Sequence, residues 1–429
     1  MPACRPGRFV QGAKSKLNVL LAHPGTQYAF RLAVELHRRD ALLAFHTGLA
    51  FSAGGWRDRF WKAMPGPWRR PLASRRIAGL PPQKLRVRPF GELVALLQLR
   101  RGRDSQQVIH RRNELFQRAI PDAIIKRANA VIGFDTSSWI LARRTRGHGR
   151  LFFLDQSIGH SRSFARVGAR LSKDFPDWTA QIPRKSQEEF MCEEQEHADA
   201  SFIIVPSRFV ARTLEENGVD AKKIRINPFG VDLECFQPRS IPPPLKPLRF
   251  VFAGSLQPRK GLPLLLAAWK ALPDNHGAEL WVAGGGEIPA SVRGGVSDSV
   301  RFLGRLPQAE LSQVFQKCHL LVFPSYFEGL AQVQIEAAAC GLPVIGTVSS
   351  GCEEIVRNGE TGFVLPAGDL DGLRAALLKF ISTPELALAM RGRLLAERAR
   401  WSWDAYGDRW MRIFEESLKA ENGNDLRRS

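Results

Sequence analysis

Two carboxylates stand eight residues apart, at Glu328 and Glu336, in a segment (323–347, FPSYFEGLAQVQIEAAACGLPVIGT) whose other residues are mostly apolar or small. On one continuous helix, eight residues would place the two side chains ~80° and ~12 Å apart. That geometry excludes a tight acid–base pair. The surrounding glycines and proline instead predict a helix that begins near Leu330 and ends at Gly341. Glu328 then lies in the preceding loop, and Glu336 lies about two turns inside the helix.

The start of this helix is suited to binding an anion or a sugar. The backbone N–H groups of residues 329–332 are expected to be free, and such groups bind phosphates or hydroxyls. A carboxylate beside them could accept hydrogen bonds from vicinal hydroxyls. Two simpler interpretations stay open at this point: Glu328 could only stabilise the helix dipole, and Glu336 could be a solvated helix residue.

Length and composition predict a two-domain globular protein. The chain has 429 residues, of which 44% are hydrophobic and 24% charged, which is ordinary for a globular protein with more than one core. The longest helical apolar run, 262–269, is far shorter than the ~18 residues that a membrane span requires. Six cysteines without a CxxC pair, and no signal-peptide pattern near the start, predict a reducing, cytoplasmic compartment.

The net charge of +20 is concentrated at one end of the chain. Residues 1–150 contain 29 Lys or Arg and 8 Asp or Glu, residues 151–200 carry −3, and the remainder carries +2. Such a field favours an anionic partner, either membrane lipid or nucleic acid. A compositional preference for arginine is the alternative explanation. We expect an anionic membrane surface and no nucleic acid, because tyrosine, with three residues, is nearly absent.

Apolar strands alternate with helices along the whole chain, which predicts parallel sheets covered on both faces. The predicted strands of the first half lie in 17–25, 128–135, 150–156 and 200–207, and those of the second half lie in 248–255, 278–286, 300–304, 319–325, 342–347 and 361–368.

A proline-rich stretch, PRSIPPPLKP, divides the two halves. We therefore predict a first Rossmann-like domain over 1–237, a hinge over 238–247, a second Rossmann-like domain over 248–405 and a C-terminal helix and tail over 406–429. Two doubly wound α/β domains facing each other would form a cleft at the carboxyl ends of both sheets.

Several motifs in order resemble one enzyme family. EGLAQVQIE (328–336) is similar to the E-x7-E signature of retaining glycosyltransferases of the GT-B fold, and its setting resembles family 4 of that class. The same setting includes CGLPVI (340–345), TGFVLPAGD (361–369) and, upstream, FAGSLQPRKG (252–261). The similarity is dense over 198–410 and weak over 1–197. It implies a metal-independent hexosyltransferase with no cofactor, which uses a nucleotide sugar and a sugar or lipid-linked glycan acceptor in cell-surface polysaccharide, lipopolysaccharide or glycolipid synthesis.

The resemblance assigns donor-binding roles to residues in both motifs. Glu336 corresponds to the glutamate on the ribose hydroxyls, and Glu328 to the one beside the donor sugar. Lys260 corresponds to the lysine on the diphosphate, with Arg259 assisting it. The remaining donor-binding candidates are Gly254, Ser255, Gly329, Leu330, Ala331 and Gln332.

One residue departs from the family pattern. Ser255 follows Gly254 where the family commonly has an arginine, so the diphosphate charge would need Arg259 or Arg305. A weaker or inactive enzyme is the alternative.

On the acceptor side, the candidate residues all follow predicted strands. Gly25 and Thr26 lie in HPGTQ (23–27), a strand-to-helix loop that lacks the family's usual glycine pair. Asp155 and His160 lie in FLDQSIGH, and we take His160 as the active-site histidine, with a plain loop histidine as the alternative. Asp135 could orient an acceptor hydroxyl or cap a helix.

Some patterns carry less weight. DLD (369–371) imitates a metal-binding motif of another fold, but its position predicts a helix N-cap. GGGE (284–287) is too short to predict a phosphate loop, and no residues have metal-ligand spacing. A nucleotide-sugar epimerase or hydrolase of the same fold, or a non-catalytic homologue that binds membrane or nucleic acid, stays open beside the transferase.

Overall fold

The computed structural model describes residues 17–26, 28–53, 74–273 and 277–425. Gln27 of the HPGTQ loop and the basic residues within 57–73 lie outside the described residues.

The first domain is built on a parallel sheet. Within the described residues of this domain there are nine strands: β1 (Val19–His23), β2 (Leu42–Thr47), β3 (Phe51–Ser52), β4 (Arg76–Ile77), β5 (Leu85–Val87), β6 (Ala130–Phe134), β7 (Leu151–Asp155), β8 (Phe202–Val205) and β9 (Ile224–Ile226). Seven of them form one sheet in the order β5-β2-β1-β6-β7-β8-β9, and β3 pairs with β4. The strands β1, β6 and β7 are buried along their whole length, as continuous apolar runs predict for a sheet covered on both faces.

Eight helices accompany these strands within the described ranges. They are α1 (Ala29–Arg38), α2 (Pro89–Arg100), α3 (Ser105–Arg118), α4 (Asp122–Arg127), α5 (Trp139–Gly147), α6 (Ser161–Asp174), α7 (Gln187–Asp199) and α8 (Arg208–Glu215).

The second domain repeats the architecture after the proline-rich linker. Its six strands are β10 (Arg249–Ala253), β11 (Glu279–Ala283), β12 (Val300–Gly304), β13 (Leu320–Phe323), β14 (Val344–Thr347) and β15 (Gly362–Leu365). They form one parallel sheet in the order β12-β11-β10-β13-β14-β15. The helices are α9 (Leu262–Lys270), α10 (Ala290–Arg293), α11 (Gln308–Phe315), α12 (Gln332–Ala339), α13 (Leu370–Ser382) and α14 (Glu385–Ala396). The predicted α/β class with two doubly wound domains is confirmed.

Short 3-10 helices complete the described elements: Pro82–Lys84, Pro176–Gln181, Ala221–Lys223, Pro258–Lys260, Val348–Ser350, Cys352–Glu354 and Arg398–Trp401. None of the helices in the described ranges has the length and apolar character needed to cross a membrane.

The last helix returns to the first domain. Helix α15 (Trp403–Asp425) begins three residues before the predicted position, 406. Trp410 and Phe414 are fully buried, and their rings lie 6.3 and 5.0 Å from the ring of Phe153 on β7. The helix therefore completes the core of the first domain, although it follows the second domain in sequence.

The carboxyl edges of the two sheets meet near Gly329. The hydroxyl of Ser207 donates to the Gly329 carbonyl over 2.5 Å. A Cβ at position 329 would lie 1.8 Å from the Ser157 carbonyl oxygen, so the approach of the two domains requires glycine there. The loop that carries Glu328 is thus held directly against the first domain.

Candidate active site

Glu328 lies at the centre of a cluster with two cations. Its Oε1 accepts a hydrogen bond of 2.5 Å from Arg259 Nη1 and forms an ion pair with Lys260 Nζ. The exposed side-chain fraction is 17% for each cation and 11% for Glu328. A solvated turn at 259–260 is therefore excluded. Two positive charges face one negative charge, so the cluster retains a net +1 for an anion.

Backbone contacts hold the cations beside the Glu328 loop. Arg259 and Lys260 close a 3-10 turn that ends at Gly261, where φ is +80° and a Cβ would lie 2.0 Å from the Pro324 carbonyl oxygen. The Arg259 carbonyl accepts from the Tyr326 N–H over 2.8 Å, and the Arg259 guanidinium donates to the Phe327 carbonyl over 2.7 Å. The Arg259 guanidinium and the Lys260 ammonium are thus positioned by the backbone of the turn and of the Glu328 loop.

A serine-rich turn after β14 fixes the loop from the other side. The Glu328 N–H donates to the Ser349 carbonyl over 2.8 Å. The hydroxyls of Thr347 and Ser349 both donate to the Ser325 carbonyl, over 2.5 and 2.8 Å. The carboxylate is therefore preorganised by a buried hydrogen-bond network, which the E-x7-E motif does not contain.

Glu336 is buried in α12 and has one weak polar contact. The helix begins at Gln332, so Glu336 lies one turn inside it and not two. The residue is 6% exposed, and its Oε1 lies 3.5 Å from Gln308 Nε2 of α11. Burial raises the pKa of Glu336 to about 7. A solvated helix glutamate is therefore excluded, and an incompletely satisfied buried carboxyl is a candidate ligand-binding group.

One of the backbone donors expected at this helix start is engaged. The Ala331 N–H donates to the Ser350 carbonyl over 3.2 Å, so the prediction that Ala331 offers a free donor is wrong. Gly329, two residues earlier, packs against Ser157 of the first domain instead of facing open space. The N–H groups of Gly329, Leu330 and Gln332 have no backbone partner among the described residues, so a backbone contact to an anion at this site would come from these three positions.

A cavity of about 600 Å³ lies beside the α12 N-terminus. Its walls include Gly254, Ser255, Gly284–286, Arg305 and Val333. A Cβ at Gly284 would lie 1.8 Å from the Gly254 carbonyl oxygen, so the two loops touch through backbone alone. GGGE, which is too short to identify as a phosphate loop from sequence, is part of this wall. Arg305 brings a positive charge to the wall that also carries Ser255.

The acceptor candidates Asp135 and Asp155 lie at neighbouring strand ends. Asp155 closes β7 and accepts from the Tyr28 hydroxyl over 2.7 Å and from the Tyr406 hydroxyl over 3.4 Å. Asp135 follows β6 and accepts from the Ser157 hydroxyl over 2.9 Å. Burial raises the pKa of Asp155 to about 8 and that of Asp135 to about 6. Helix α5 begins four residues after Asp135, with Ser138 at its N-cap, so Asp135 is not a helix cap.

A buried glutamate that sequence reasoning missed holds the loop after Asp135. Glu196 of α7 accepts from the N–H of Thr136 over 2.9 Å and from the N–H of Ser138 over 2.6 Å. Burial raises its pKa well above the ordinary range. Thr136 has a left-handed φ of +62°, which this carboxyl stabilises. An EEQE run on a predicted helix resembles a solvated face, so its sequence carried no signal of this role.

His160 is placed at the N-cap of α6. Its Nδ1 accepts from the Arg162 N–H over 3.1 Å, and its ring lies 5.5 Å from the ring of His197. Burial lowers its pKa. Its preceding residue, Gly159, packs against Phe327. Among the described residues, the His160 side chain contacts Arg162 and His197 and does not reach the Glu328 cluster. The active-site role of His160 stays a prediction.

Gly25 and Thr26 follow β1 at the same edge of the first sheet. The Gly25 N–H lies 3.1 Å from Nδ1 of His23, whose pKa burial lowers to about 4. A neutral imidazole of His23 thus holds the turn at Gly25 in place.

Among the residues that the structure describes, no group of three or more His, Cys, Asp or Glu side chains could hold a metal ion. Asp369 caps α13 by accepting from the Gly372 N–H over 2.8 Å, so the N-cap interpretation of DLD is confirmed.

Comparison with known proteins gives a family for the second domain. Residues 247–383 match the family described as glycosyl transferases group 1. A D-inositol 3-phosphate glycosyltransferase of Corynebacterium jeikeium is 30% identical over 258 residues, which cover 54% of this chain and 61% of that protein. The match therefore spans about three fifths of that relative's length.

Solved structures resemble the whole fold. Sucrose-phosphate synthase from Thermosynechococcus elongatus has a TM-score of 0.62 at 19% identity, with 94% of this chain and 100% of that chain covered. Anabaena Alr3699/HepE in complex with UDP and glucose has a TM-score of 0.61 at 15% identity, with 93% and 100% covered. The match to the glycosyl transferases group 1 is therefore confined to residues 247–383, and the structural matches show that the chain has the GT-B fold.

Proposed function

We propose that this protein is a retaining glycosyltransferase that moves a hexose from a nucleotide sugar to an acceptor hydroxyl. The observation that carries the proposal is the buried cluster of Glu328, Arg259 and Lys260. The glycine-walled cavity at the start of α12 and the buried Glu336 with its one weak contact support it. A nucleotide sugar presents a ribose, a diphosphate and a hexose in sequence. Glu336 would bind the ribose hydroxyls, the cations and Arg305 would bind the diphosphate, and Glu328 would contact the hexose.

In the proposed reaction, the acceptor oxygen attacks the anomeric carbon on the face from which the phosphate departs. The bond between the anomeric carbon and the phosphate oxygen breaks, and its electron pair stays on the diphosphate. The acceptor proton passes to the departing phosphate oxygen. Lys260 and Arg259 stabilise the developing negative charge, which is usually the largest contribution in such sites. The net +1 of their cluster with Glu328, together with Arg305, supports a reaction that needs no divalent cation or other cofactor.

The relatives support a nucleotide-sugar donor without fixing its base or sugar. HepE was solved with UDP and glucose, and the Corynebacterium relative is named for a phosphorylated inositol. We propose that the acceptor is a sugar or lipid-linked glycan at the cytoplasmic face of a membrane. The +21 of residues 1–150 supports peripheral association with anionic lipid. A role in cell-surface polysaccharide, lipopolysaccharide or glycolipid synthesis follows from such an acceptor.

Thermal stabilisation by a panel of nucleoside diphosphates and nucleotide sugars tests donor binding. We expect stabilisation of the wild type by at least one nucleotide, because a ligand that binds only the folded state raises its stability. Lys260→Ala should lose that stabilisation, whereas Lys270→Ala, a matched exposed lysine of α9, should keep it. Equal stabilisation of both variants would contradict the assignment of Lys260.

The anomeric configuration tests the reaction class. Proton NMR of the product should show the same anomeric configuration as the donor sugar, and addition of a chelator should not slow the reaction. An inverted product would overturn the retaining mechanism. A nucleotide-sugar epimerase or hydrolase would consume the donor at the same rate with and without acceptor, and a non-catalytic homologue with a decayed site would consume none.

A further inference from the structure

A second cavity, separate from the donor site, lies between α2 and α3 in the first domain. It has a volume of about 440 Å³, and its mainly apolar lining includes Phe90 of α2 and Leu115 and Phe116 of α3. Pro24 and Gly48, which follow β1 and β2, also line it. The cavity therefore opens at the same carboxyl edge of the sheet that carries the acceptor candidates.

Arg88, which lines this cavity, has no side-chain hydrogen bond or ion pair with any of the described residues. Arg88 precedes α2, is half-buried, and has a buried Nε with no hydrogen-bond partner. Among the described residues, the hydrogen bonds that Arg88 donates come from its backbone N–H, to the carbonyls of Thr47 and Gly48. Within the described residues, no carboxylate forms an ion pair with this guanidinium. An unpaired guanidinium at a partly buried site is costly unless a ligand supplies the anion.

The charges around the cavity leave a positive excess. Glu92 is its lining carboxylate, and both oxygens of Glu92 are engaged, with Arg75 over 2.7 Å and Arg112 over 3.1 Å. Arg75 and Arg112 thus pair with Glu92, and together with Arg88 these four side chains carry a net charge of +2. The N-terminus of α2 adds to this field, because the twelve-residue helix begins there without a side-chain cap.

The outer face of α2 is apolar and exposed. Phe90 is 79% exposed, Leu93 48% and Leu97 54%, and Leu115 of α3 is 49% exposed. These residues continue the apolar lining of the cavity out to the surface. An apolar surface next to an anion-binding pocket is suited to a ligand that has both characters.

We propose that the α2–α3 cavity binds the phosphate and the first part of the apolar chain of an amphiphilic acceptor. Arg88 and the α2 N-terminus bind the phosphate, and Phe90, Leu115 and Phe116 contact the chain. The inference rests on the proposed transferase function and names its acceptor class, a lipid phosphate. The remainder of the chain lies along the exposed face of α2.

Calorimetry with three probes tests this site. We expect n-decyl phosphate, below its micelle-forming concentration, to bind the wild type at least tenfold more tightly than inorganic phosphate or decyl maltoside. Equal binding of inorganic phosphate would indicate a site for free anions and overturn the lipid assignment. Equal binding of decyl maltoside would indicate an apolar site without phosphate recognition and would overturn it as well.

Two variants and a matched control locate the binding. Arg88→Gln and Ala119→Phe, which narrows the cavity from an exposed position on its wall, should each weaken n-decyl phosphate at least tenfold. Arg86→Gln changes an exposed arginine two residues away that bonds only to backbone carbonyls, and it should leave the affinity unchanged. Unchanged affinity in both test variants would overturn the proposal.

Nucleotide binding by the same proteins separates the two proposals. If the inference fails and the proposed function holds, Arg88→Gln binds nucleotide as the wild type does and no variant changes n-decyl phosphate binding. If the proposed function fails, the wild type binds no nucleotide, whatever its affinity for n-decyl phosphate.

Discussion

Glu336→Gln should stabilise the free protein at alkaline pH. The pKa of Glu336 is raised from 4.5 to about 7 because the carboxyl is buried with only a 3.5 Å contact to Gln308. Between these two pH values the native state holds a proton that the unfolded chain has lost, so the free energy of unfolding falls as pH rises. At 1.36 kcal/mol per unit, the loss is about 3 kcal/mol above pH 8. A glutamine carries no charge and avoids this loss.

Thermal melts of the wild type and Glu336→Gln at pH 5 and pH 8.5 measure the effect. The variant should melt several degrees above the wild type at pH 8.5, and its advantage should be small at pH 5. Glu416→Gln, at an exposed glutamate of α15, is the control and should show no such pH dependence. A variant that gains no stability at pH 8.5 would refute the buried-carboxyl argument.

The same substitution, Glu336→Gln, should weaken nucleotide binding although it stabilises the free protein. Hydrogen bonds to a charged group contribute about 1.5–3 kcal/mol each, so loss of one ribose hydroxyl contact weakens nucleotide binding by about 10- to 150-fold. Calorimetric titration at pH 8 measures this change. Wild-type affinity in Glu336→Gln would show that the carboxylate is not a ligand of the ribose.

Three further predictions concern the cluster, the domain contact and the last helix. Glu328→Gln leaves two partly buried cations without their anion, so the rate of transfer should fall at least ~100-fold and the melting temperature should drop. Donor turnover and thermal melting of the purified variant measure the two effects. Gly329→Ala puts a Cβ 1.8 Å from the Ser157 carbonyl oxygen and should increase the radius of gyration in small-angle scattering, whereas Gly392→Ala, in open space on a helix, should not. Trp410→Ala removes a fully buried ring and should cost about 3–5 kcal/mol of unfolding free energy in urea titration; a loss below 1 kcal/mol would contradict the docking of α15.

The sequence carried the fold because its signals were local. Strands such as β6 and β7 are continuous apolar runs that end in a polar residue, and the linker is marked by its prolines. Such patterns predict parallel strands and a domain boundary without any long-range information. The docking of α15 on Phe153 depends on contacts between residues more than 250 positions apart, and no local pattern records them.

Only the site residues that belong to a sequence motif could be predicted from the sequence. Glu328, Glu336 and Lys260 belong to short ordered motifs, and the structure assembles Glu328 and Lys260 directly. The partners that set their chemistry have no motif, because Gln308 makes a single side-chain contact to Glu336 and Ser349 accepts the Glu328 N–H through its backbone carbonyl. Polar residues of this kind resemble surface residues in sequence.

The burial of carboxyl side chains could not be predicted from the sequence. A tyrosine-poor chain places two of its three tyrosines on Asp155, and Glu196 supports a left-handed turn 60 residues away. Both carboxyls are hidden by elements that approach from distant parts of the chain. Whether a carboxyl is a ligand-binding group or a structural one therefore required the packed structure.

The most direct test of the account measures release of nucleoside diphosphate from a panel of nucleotide sugars by the purified protein. We predict that at least one donor is consumed, that Lys260→Ala loses this turnover and that Lys270→Ala retains it. A folded wild type that neither binds nor consumes any nucleotide sugar of the panel would contradict the proposed glycosyltransferase.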